Sequence, residues 1–474
     1  MGGGARRGFL LLPLVAAGLL PGSHQAPAPA KAQQQPSGIR TFTYRQGPLT
    51  VGPYQVRYTS KATKDIKAPD MDGYIVWMHA RVVDASGQPI PVRRLMLHHI
   101  VYKDLGRYDG EKHDPVCGGR SESFYGNGEE NETLHFPPGY GYPIHRGDRW
   151  QTGWMLMNHK NRVDRAYIEY TVRVDTVHKL TPVRPYWLRA TGCPRPGRID
   201  PIFDVPGGRR KGSRYSKSIT WKMPESGRLI AASGHAHGGA QDLTIRQPRC
   251  GDRRLLTSKP LFGRPDHPYY HVLPVLHEPG PINMSWDQTK TGIPVGKGER
   301  LKLTSNYDDH LVHTRVMAIM HLYVAPDRSA RSSCAPLPKD LDNQRLNYKG
   351  RTRAPAIKVP LTGLDKYGHA HRISRPPGHR KRYAGNAIVL VRGKGFVKPN
   401  LSVPVGARVR WLFRDKASHN VTLANGPRGF SSQNKHRGHT YSERLRRPGT
   451  YRLFCSLHPV QMTETIVVRR RHRR

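Results

Sequence analysis

Apolar residues along this chain fall in short runs of strand length rather than at helical spacing. Ala387 to Leu390 and Val403 to Phe413 alternate or cluster apolar side chains. Turn signals at Pro399-Asn400, Val405-Gly406, Asn425-Gly426-Pro427 and Pro448-Gly449 punctuate them. The earlier part is written the same way: Arg94 to Tyr102, Trp154 to His159, Ser233 to Gly239 and Arg315 to Val324 each read as a strand or strand end. Long helical periodicity and repeats at a solenoid period are absent. With 48 Gly and 41 Pro in 474 residues, the pattern predicts an all-β chain. Its length gives a prior of roughly three domains.

Candidate chemistry is densest near the C-terminus. Cys455 follows Tyr451-Arg-Leu-Phe, a predicted strand end, and His458 and Met462 fall on the loop after it. His419 comes from a separate strand connection. A thiolate, two imidazoles and a weak thioether make up the donor set of a blue-copper electron-transfer centre. The stretch resembles the plastocyanin-like cupredoxins. The matching residues are Phe396-x-x-Pro399, Gly406-x-x-Val409-x-Trp411, His419-Asn420-Val421 and Pro448-Gly449-Thr-Tyr451, running into Cys455, His458 and Met462. The resemblance covers about residues 385–470 and implies a Greek-key β-sandwich. It implies His419, Cys455 and His458 as strong copper ligands and Met462 as the weak axial one.

Targeting and redox context agree with an exported protein. Arg6-Arg7 precedes an apolar run from Phe9 to Leu20, too short for an ordinary membrane span, and then Pro-Gly-Ser-His. Residues 1–32 are therefore expected to be a signal peptide, through the general secretory or the twin-arginine route. No other segment is long and apolar enough to span a bilayer, and no Cys follows the apolar run as a lipoprotein anchor would require. With Cys455 assigned to copper, Cys117, Cys193, Cys250 and Cys334 remain. They predict two disulfides, with three pairings open. The net charge of +44 reads as a solvated basic surface. An anionic cell wall or an acidic redox partner is a secondary reading. No nucleic-acid motif is present.

A second set of candidate ligands precedes the C-terminal unit. His98-His99, His159 (ending Trp154-Met-Leu-Met-Asn-His), His235-Ala-His237 and Met317 stand in strand contexts. In a strand, His-x-His points both rings to one face and can grip one ion. Adjacent His98 and His99 point to opposite faces, unless the backbone is twisted or bulged there. In order and spacing these residues resemble the copper type II, ascorbate-dependent monooxygenases, the family of the peptidylglycine and dopamine enzymes. Phe136-Pro-Pro-Gly-Tyr-Gly-Tyr142 resembles a stretch before that family's third ligand, and Met317 lies nine residues before Pro326 as the family's methionine does. Met320 is the runner-up.

That resemblance implies two jelly-roll-like β-sandwiches, each holding one copper across a water-filled cleft. It implies His98, His99 and His159 as the electron-relaying site. His235, His237 and Met317 would be the site that meets O2 and substrate. A soft thioether favours Cu(I), the state that reacts with O2. The chain departs from the family at Ile100, Ala236 and Ser233. Ser233 stands where the peptide-amidating branch has an arginine that holds a substrate carboxylate, so glycine-extended peptides are not the expected substrate.

The expected organisation is a sandwich at 40–182, a second at 183–334, a basic Pro-rich linker at 335–384 and the cupredoxin at 385–470. The linker histidines His369, His371 and His379 read as solvated. The expected function is a secreted copper monooxygenase with one type 1 and two type 2-like coppers. It would act on a small-molecule substrate and O2, and an external donor would feed electrons through the tethered cupredoxin. The alternatives are a non-catalytic copper-binding or electron-transfer protein, and a chain in which only the cupredoxin binds metal.

Overall fold

The structure, a computed structural model, describes residues 1–2, 38–59, 65–108, 110–196, 201–344 and 350–470. The expected signal peptide lies outside the described residues, apart from Met1 and Gly2. Among the described residues helix is limited to two short 3-10 turns, Pro248–Cys250 and Pro268–His271; the rest is strand and loop. None is long and apolar enough to cross a membrane.

Strands pair into three two-sheet sandwiches, as the alternating pattern predicts. In the first, a sheet led by Ile39–Val51, Asp164–Asp175 and Gly73–Val83 packs on the order Val56–Tyr58, Trp150–Asn158, Leu95–Asp104, Glu122–Gly128. In the second, Arg184–Arg189, His313–Pro326, Gly227–Ala236 and Trp286–Val295 face Arg214–Lys222, Arg300–Asp308, Ala240–Gln247 and Arg253–Ser258. The third mixes directions, with Ala387–Arg392 running parallel to Arg408–Phe413, and Asn400–Pro404 parallel to Thr463–Arg469.

Aromatic side chains anchor the first and third cores, where each removes a large apolar area from water, of the order of 2–3 kcal/mol when fully buried. In the first core Phe124 stacks on Tyr142, with centroids 4.9 Å apart, and sits 4.8 Å from Trp150. That core does not end at its own sheets. Trp286 and Tyr323 of the second sandwich belong to it, and the Tyr323 hydroxyl donates to the Phe124 carbonyl at 3.1 Å. In the third core Trp411 is fully buried and its indole N–H donates to Glu464 Oε2 at 2.8 Å.

The third sandwich is seated on the second by specific polar contacts. Arg315 donates to the Ser432 carbonyl at 2.6 Å and to Asn434 Oδ1 at 3.2 Å. Thr314 Oγ1 donates to the Leu423 carbonyl at 2.8 Å. Asp204 accepts both from the Arg315 backbone N–H, at 3.0 Å, and from Ser431 Oγ, at 2.7 Å.

The stretch expected as a linker carries regular structure. Asp342–Gln344 pairs with Trp286–Val295, which extends the second sandwich beyond 334. Leu361–Leu364 and Ala370–Ile373 form a hairpin. Its few apolar residues are the anchor: Val359 and Leu361 bury against Ala424 and Phe454 of the third sandwich.

The four remaining cysteines join as Cys117–Cys193 and Cys250–Cys334, closing separations of 76 and 84 residues. Such pairs fit an oxidising, extracytoplasmic compartment. Restricting an unfolded chain over loops of that length stabilises by about 4–5 kcal/mol in the chain-entropy description. Replacing Cys250 and Cys334 together by Ser should lower the unfolding free energy by about 2–5 kcal/mol in a denaturant titration. An unchanged midpoint would show that this bridge constrains nothing.

Candidate metal centres

The C-terminal ligands converge. His419 Nδ1 lies 3.3 Å from His458 Nδ1, and Cys455 Sγ lies 3.7 Å from the same nitrogen. The donor atoms of the three residues all fall within 4.8 Å of one another. Cys455, His419 and Met462 are fully buried. Chain geometry explains the convergence. Gly449–Phe454 delivers Cys455 at its end, and a tight turn in which Met462 N–H donates to the His458 carbonyl at 2.9 Å folds the loop back.

Second contacts fix these donors. Asp415 Oδ2 lies 2.9 Å from His419 Nε2, orienting the ring so that Nδ1 faces the cysteine. The Asn420 backbone N–H donates to Cys455 Sγ at 3.3 Å. Burial pushes the Cys455 thiol up, opposed by the N–H groups of Asn420, Leu457 and His458. Burial and the neighbouring His419 hold His458 down at about 4, so it is neutral and free to ligate. A soft sulfur and two imidazoles brought to one point fit copper.

The fold and this donor set define a cupredoxin. Residues 392–469 match the copper binding proteins of the plastocyanin/azurin family, so the C-terminal unit is a copper-binding domain of that kind and implies a copper cofactor. Among solved structures, the chain is similar to oxidised mutant amicyanin, at 27% identity over 18% of this chain and 81% of that one, with a TM-score of 0.17. It is similar to reduced mutant amicyanin at 28% identity over 18% and 83%, TM-score 0.17. For the Cu(I) form of another amicyanin mutant the values are 29%, 18%, 85% and 0.17. No curated protein matches the chain.

The histidines of the first two sandwiches gather where these units meet. Strand Leu95–Asp104 shifts register between Leu97 and His99 against Trp150–Asn158. That irregularity is the bulge which adjacent histidines need in order to share a side. His98 Nδ1 and His99 Nδ1 lie 3.0 Å apart. On the second sandwich, His235 Nε2 and His237 Nε2 approach to 3.2 Å. His235 is oriented through Nδ1, 2.8 Å from Glu130 Oε1, the carboxylate–imidazole arrangement common behind metal-bound histidines.

Met317 reaches the same place by register. Ala236 pairs with Ala318, which sets His237, just past the end of its strand, beside Met317. The Tyr307 hydroxyl ties them together, accepting from His237 N–H at 3.3 Å and donating to the Met317 carbonyl. Met317 is half-buried and lines the cavity described below, whereas Met320 is fully buried in the apolar core of the second sandwich. His159 Nδ1–H donates to the Pro274 carbonyl at 3.0 Å, and its buried Nε2 has no hydrogen-bond partner.

The two sets do not stand apart across a cleft. The His98 ring is 5.2 Å from that of His237 and 4.8 Å from that of His277. His159 does not join His98 and His99 directly; it lines a smaller cavity together with His277, which repels protonation of both His98 and His159. Sequence reading missed His277 and the carboxylates Glu129 and Glu130. Their only sequence signal is a run of acids, Glu129-Glu130-Asn-Glu132, in a chain of 78 basic and 34 acidic residues.

Burial governs the charge state of this cluster. It lowers His98 and His237 well below their ordinary value and holds His99 at about 4. His235 is the exception: burial lowers it, but Glu130, Glu129 and Glu132 together raise it.

A cavity of about 690 Å³ opens beside the cluster. Its walls include His98, His99, His235, His237 and Met317, the rings of Trp154 and Trp187, and Thr422, Phe454 and Leu457 of the cupredoxin. The linker histidine His369 lies 3.5 Å from Asp365 near the surface, and His371 is exposed, both away from this site.

Acid should test the buried imidazoles. His99 and His159, each held by burial at about 4, fold neutral, while the unfolded chain takes up protons below about pH 6.5. Their contribution to stability is therefore complete above about pH 6.5 and is lost as pH falls toward 4. Metal-free protein should lose a few kcal/mol of unfolding free energy between about pH 7 and about pH 5, and His159→Gln should lose less. Equal losses in the two proteins would place the acid sensitivity elsewhere.

Proposed function

We propose that the chain is an extracytoplasmic copper oxidoreductase in which the cupredoxin feeds electrons to a histidine-held copper site that hydroxylates a small molecule. The observation that carries this reading is the shared cavity, with the histidine cluster on one wall and the cupredoxin on another. Hydroxylation consumes O2, an electron pair and protons, and places one oxygen atom in the substrate and the other in water. Copper at Cys455 would supply one-electron transfer, and copper at His235, His237 and Met317 would supply reductive O2 chemistry, with His98 and His99 beside it as the relay.

The chain's own residues support an internal electron route. Asn420 donates its backbone N–H to Cys455 Sγ, and its side-chain amide donates to Asn434 Oδ1 at 2.9 Å. Arg315 donates to the same Asn434 oxygen and lies two residues before Met317. Its charge is felt both at Cys455 and at His237. A donor held in the same chain acts at an effective concentration of about millimolar, which gives a reason for the fusion.

The cavity also suits an organic substrate. Its volume falls in the range that encloses small ligands, and Trp154, Trp187 and Leu276 supply an apolar lining near His237 and Met317. Electrons should enter through Cys455. In fully copper-loaded protein given a reduced protein donor, Cys455→Ser should remove the blue absorption and slow loss of the core Cu(II) resonance signal by about tenfold or more. An unchanged rate would rule out the relay.

The closeness of His98 to His237 favours a second reading, copper binding and electron transfer without hydroxylation. Reoxidation of the reduced protein by O2 with no product from any C–H substrate would select it.

A further inference from the structure

We infer that Glu129 and His277, with His98, form a metal site for a divalent first-row ion at the junction of the first two sandwiches. This goes beyond the resemblance-based ligand sets, which include neither Glu129 nor His277. It rests on the reading of the histidine cluster as a metal site only through the shared His98.

The donors point at one place. Glu129 Oε1 is 3.2 Å from His98 Nε2 and in contact with His277 Nε2. The donor atoms of the three residues all lie within 4.8 Å of one another. Their side chains are 6, 7 and 16% exposed for Glu129, His98 and His277. A carboxylate buried to that degree needs a counter-charge, and a divalent cation between it and two imidazoles provides one.

The rest of Glu129 is built to hold this orientation. Its second oxygen, Oε2, accepts from the Tyr269 hydroxyl and from the Gly280 backbone N–H at 3.0 Å. A Cβ on residue 280 would stand 2.7 Å from Glu129 Oε2 and would push that carboxylate out of its present position. Oε2 is thus fully engaged by the second sandwich, and Oε1 is left facing the imidazoles. His277 Nδ1 is buried without a hydrogen-bond partner.

The site spans two units. Glu129 directly follows strand Glu122–Gly128, whose Gly128 pairs with His99, so the first sandwich supplies His98 and Glu129 together. The second supplies His277, Tyr269 and Gly280 from the loops around Pro268–His271. A bound ion would therefore pin the two sandwiches to each other. Two imidazoles and one carboxylate form a donor set of intermediate softness. By the usual order of affinities it takes Cu(II) more tightly than Zn(II), Fe(II) or Mn(II).

Zn(II) is the cleaner probe because it is redox-silent, so the readout is independent of turnover. Metal-free full-length protein is titrated with Zn(II) by calorimetry, alongside Glu129→Gln, His277→Ala and His235→Ala. Folding of each variant is checked by the blue absorption of a separately copper-loaded sample. Glu129→Gln keeps an acceptor for Tyr269 and Gly280, and should lose one Zn(II) per chain or bind it at least about tenfold more weakly. His277→Ala should do the same. Wild-type stoichiometry and affinity in both variants would overturn the proposal and leave an ordinary Glu129–His277 ion pair. His235→Ala reports the other reading separately. Loss of an ion there alone would retain the proposed function and overturn this site, while loss only in the Glu129 and His277 variants would do the reverse.

Discussion

Desolvation of imidazole is the constraint on which this molecule is arranged. Where the first two sandwiches meet, His98, His99, His235, His237 and His277 come together with Glu129 and Glu130 in a region largely closed to water. Burial keeps His98, His99 and His237 neutral because charging them has no compensating hydration. Neutral imidazoles repel no cation and offer lone pairs, so the burial that weakens the metal-free protein in acid also prepares the cluster for metal. The surrounding structure keeps the arrangement in place. The bulge at His98, the Tyr307 clip between His237 and Met317 and the Gly280 N–H on Glu129 each fix one donor.

The cupredoxin is the readable part of the chain for a physical reason. Cys455, His458 and Met462 lie on one short loop, so their spacing in sequence is nearly their spacing in space. His419 is recognisable because Asn420 after it serves the same sulfur through its backbone. The all-β class was equally legible, since strand period is a local property. Register had to be seen in three dimensions. Only the pairing of Ala236 with Ala318 separates Met317 at the cavity from Met320 in the core. Disulfide pairing belongs to the same kind of fact, because the bridged cysteines are 76 and 84 residues apart.

Glu129 and His277 were not legible because nothing local marks them. They stand 148 residues apart and meet only when two sandwiches pack. The linker was misjudged for a related reason: Val359 and Leu361 are too few to draw notice in a Pro- and Arg-rich stretch, yet they find an apolar partner in Phe454. The net charge of +44 likewise conceals where the carboxylates are. Glu129, Glu130, Glu132 and Glu278 are gathered around the histidines, with His313 Nδ1 2.8 Å from Glu278 and His235 on Glu130. A basic chain has thus placed several of its few carboxyl groups beside the buried imidazoles.

The cupredoxin is seated on the second sandwich, and both line the cavity beside the histidine cluster. Arg315 is the hinge of that contact, held by Asp204 at its backbone and by Ser432 and Asn434 at its guanidinium. The most direct test is to count copper per chain and record the electron paramagnetic resonance of fully loaded protein. A narrow blue signal accompanied by ordinary tetragonal Cu(II), with more than one copper per chain, is the expected result. A single copper per chain with only the blue signal would contradict a metal-holding core and leave the cupredoxin as the sole copper site.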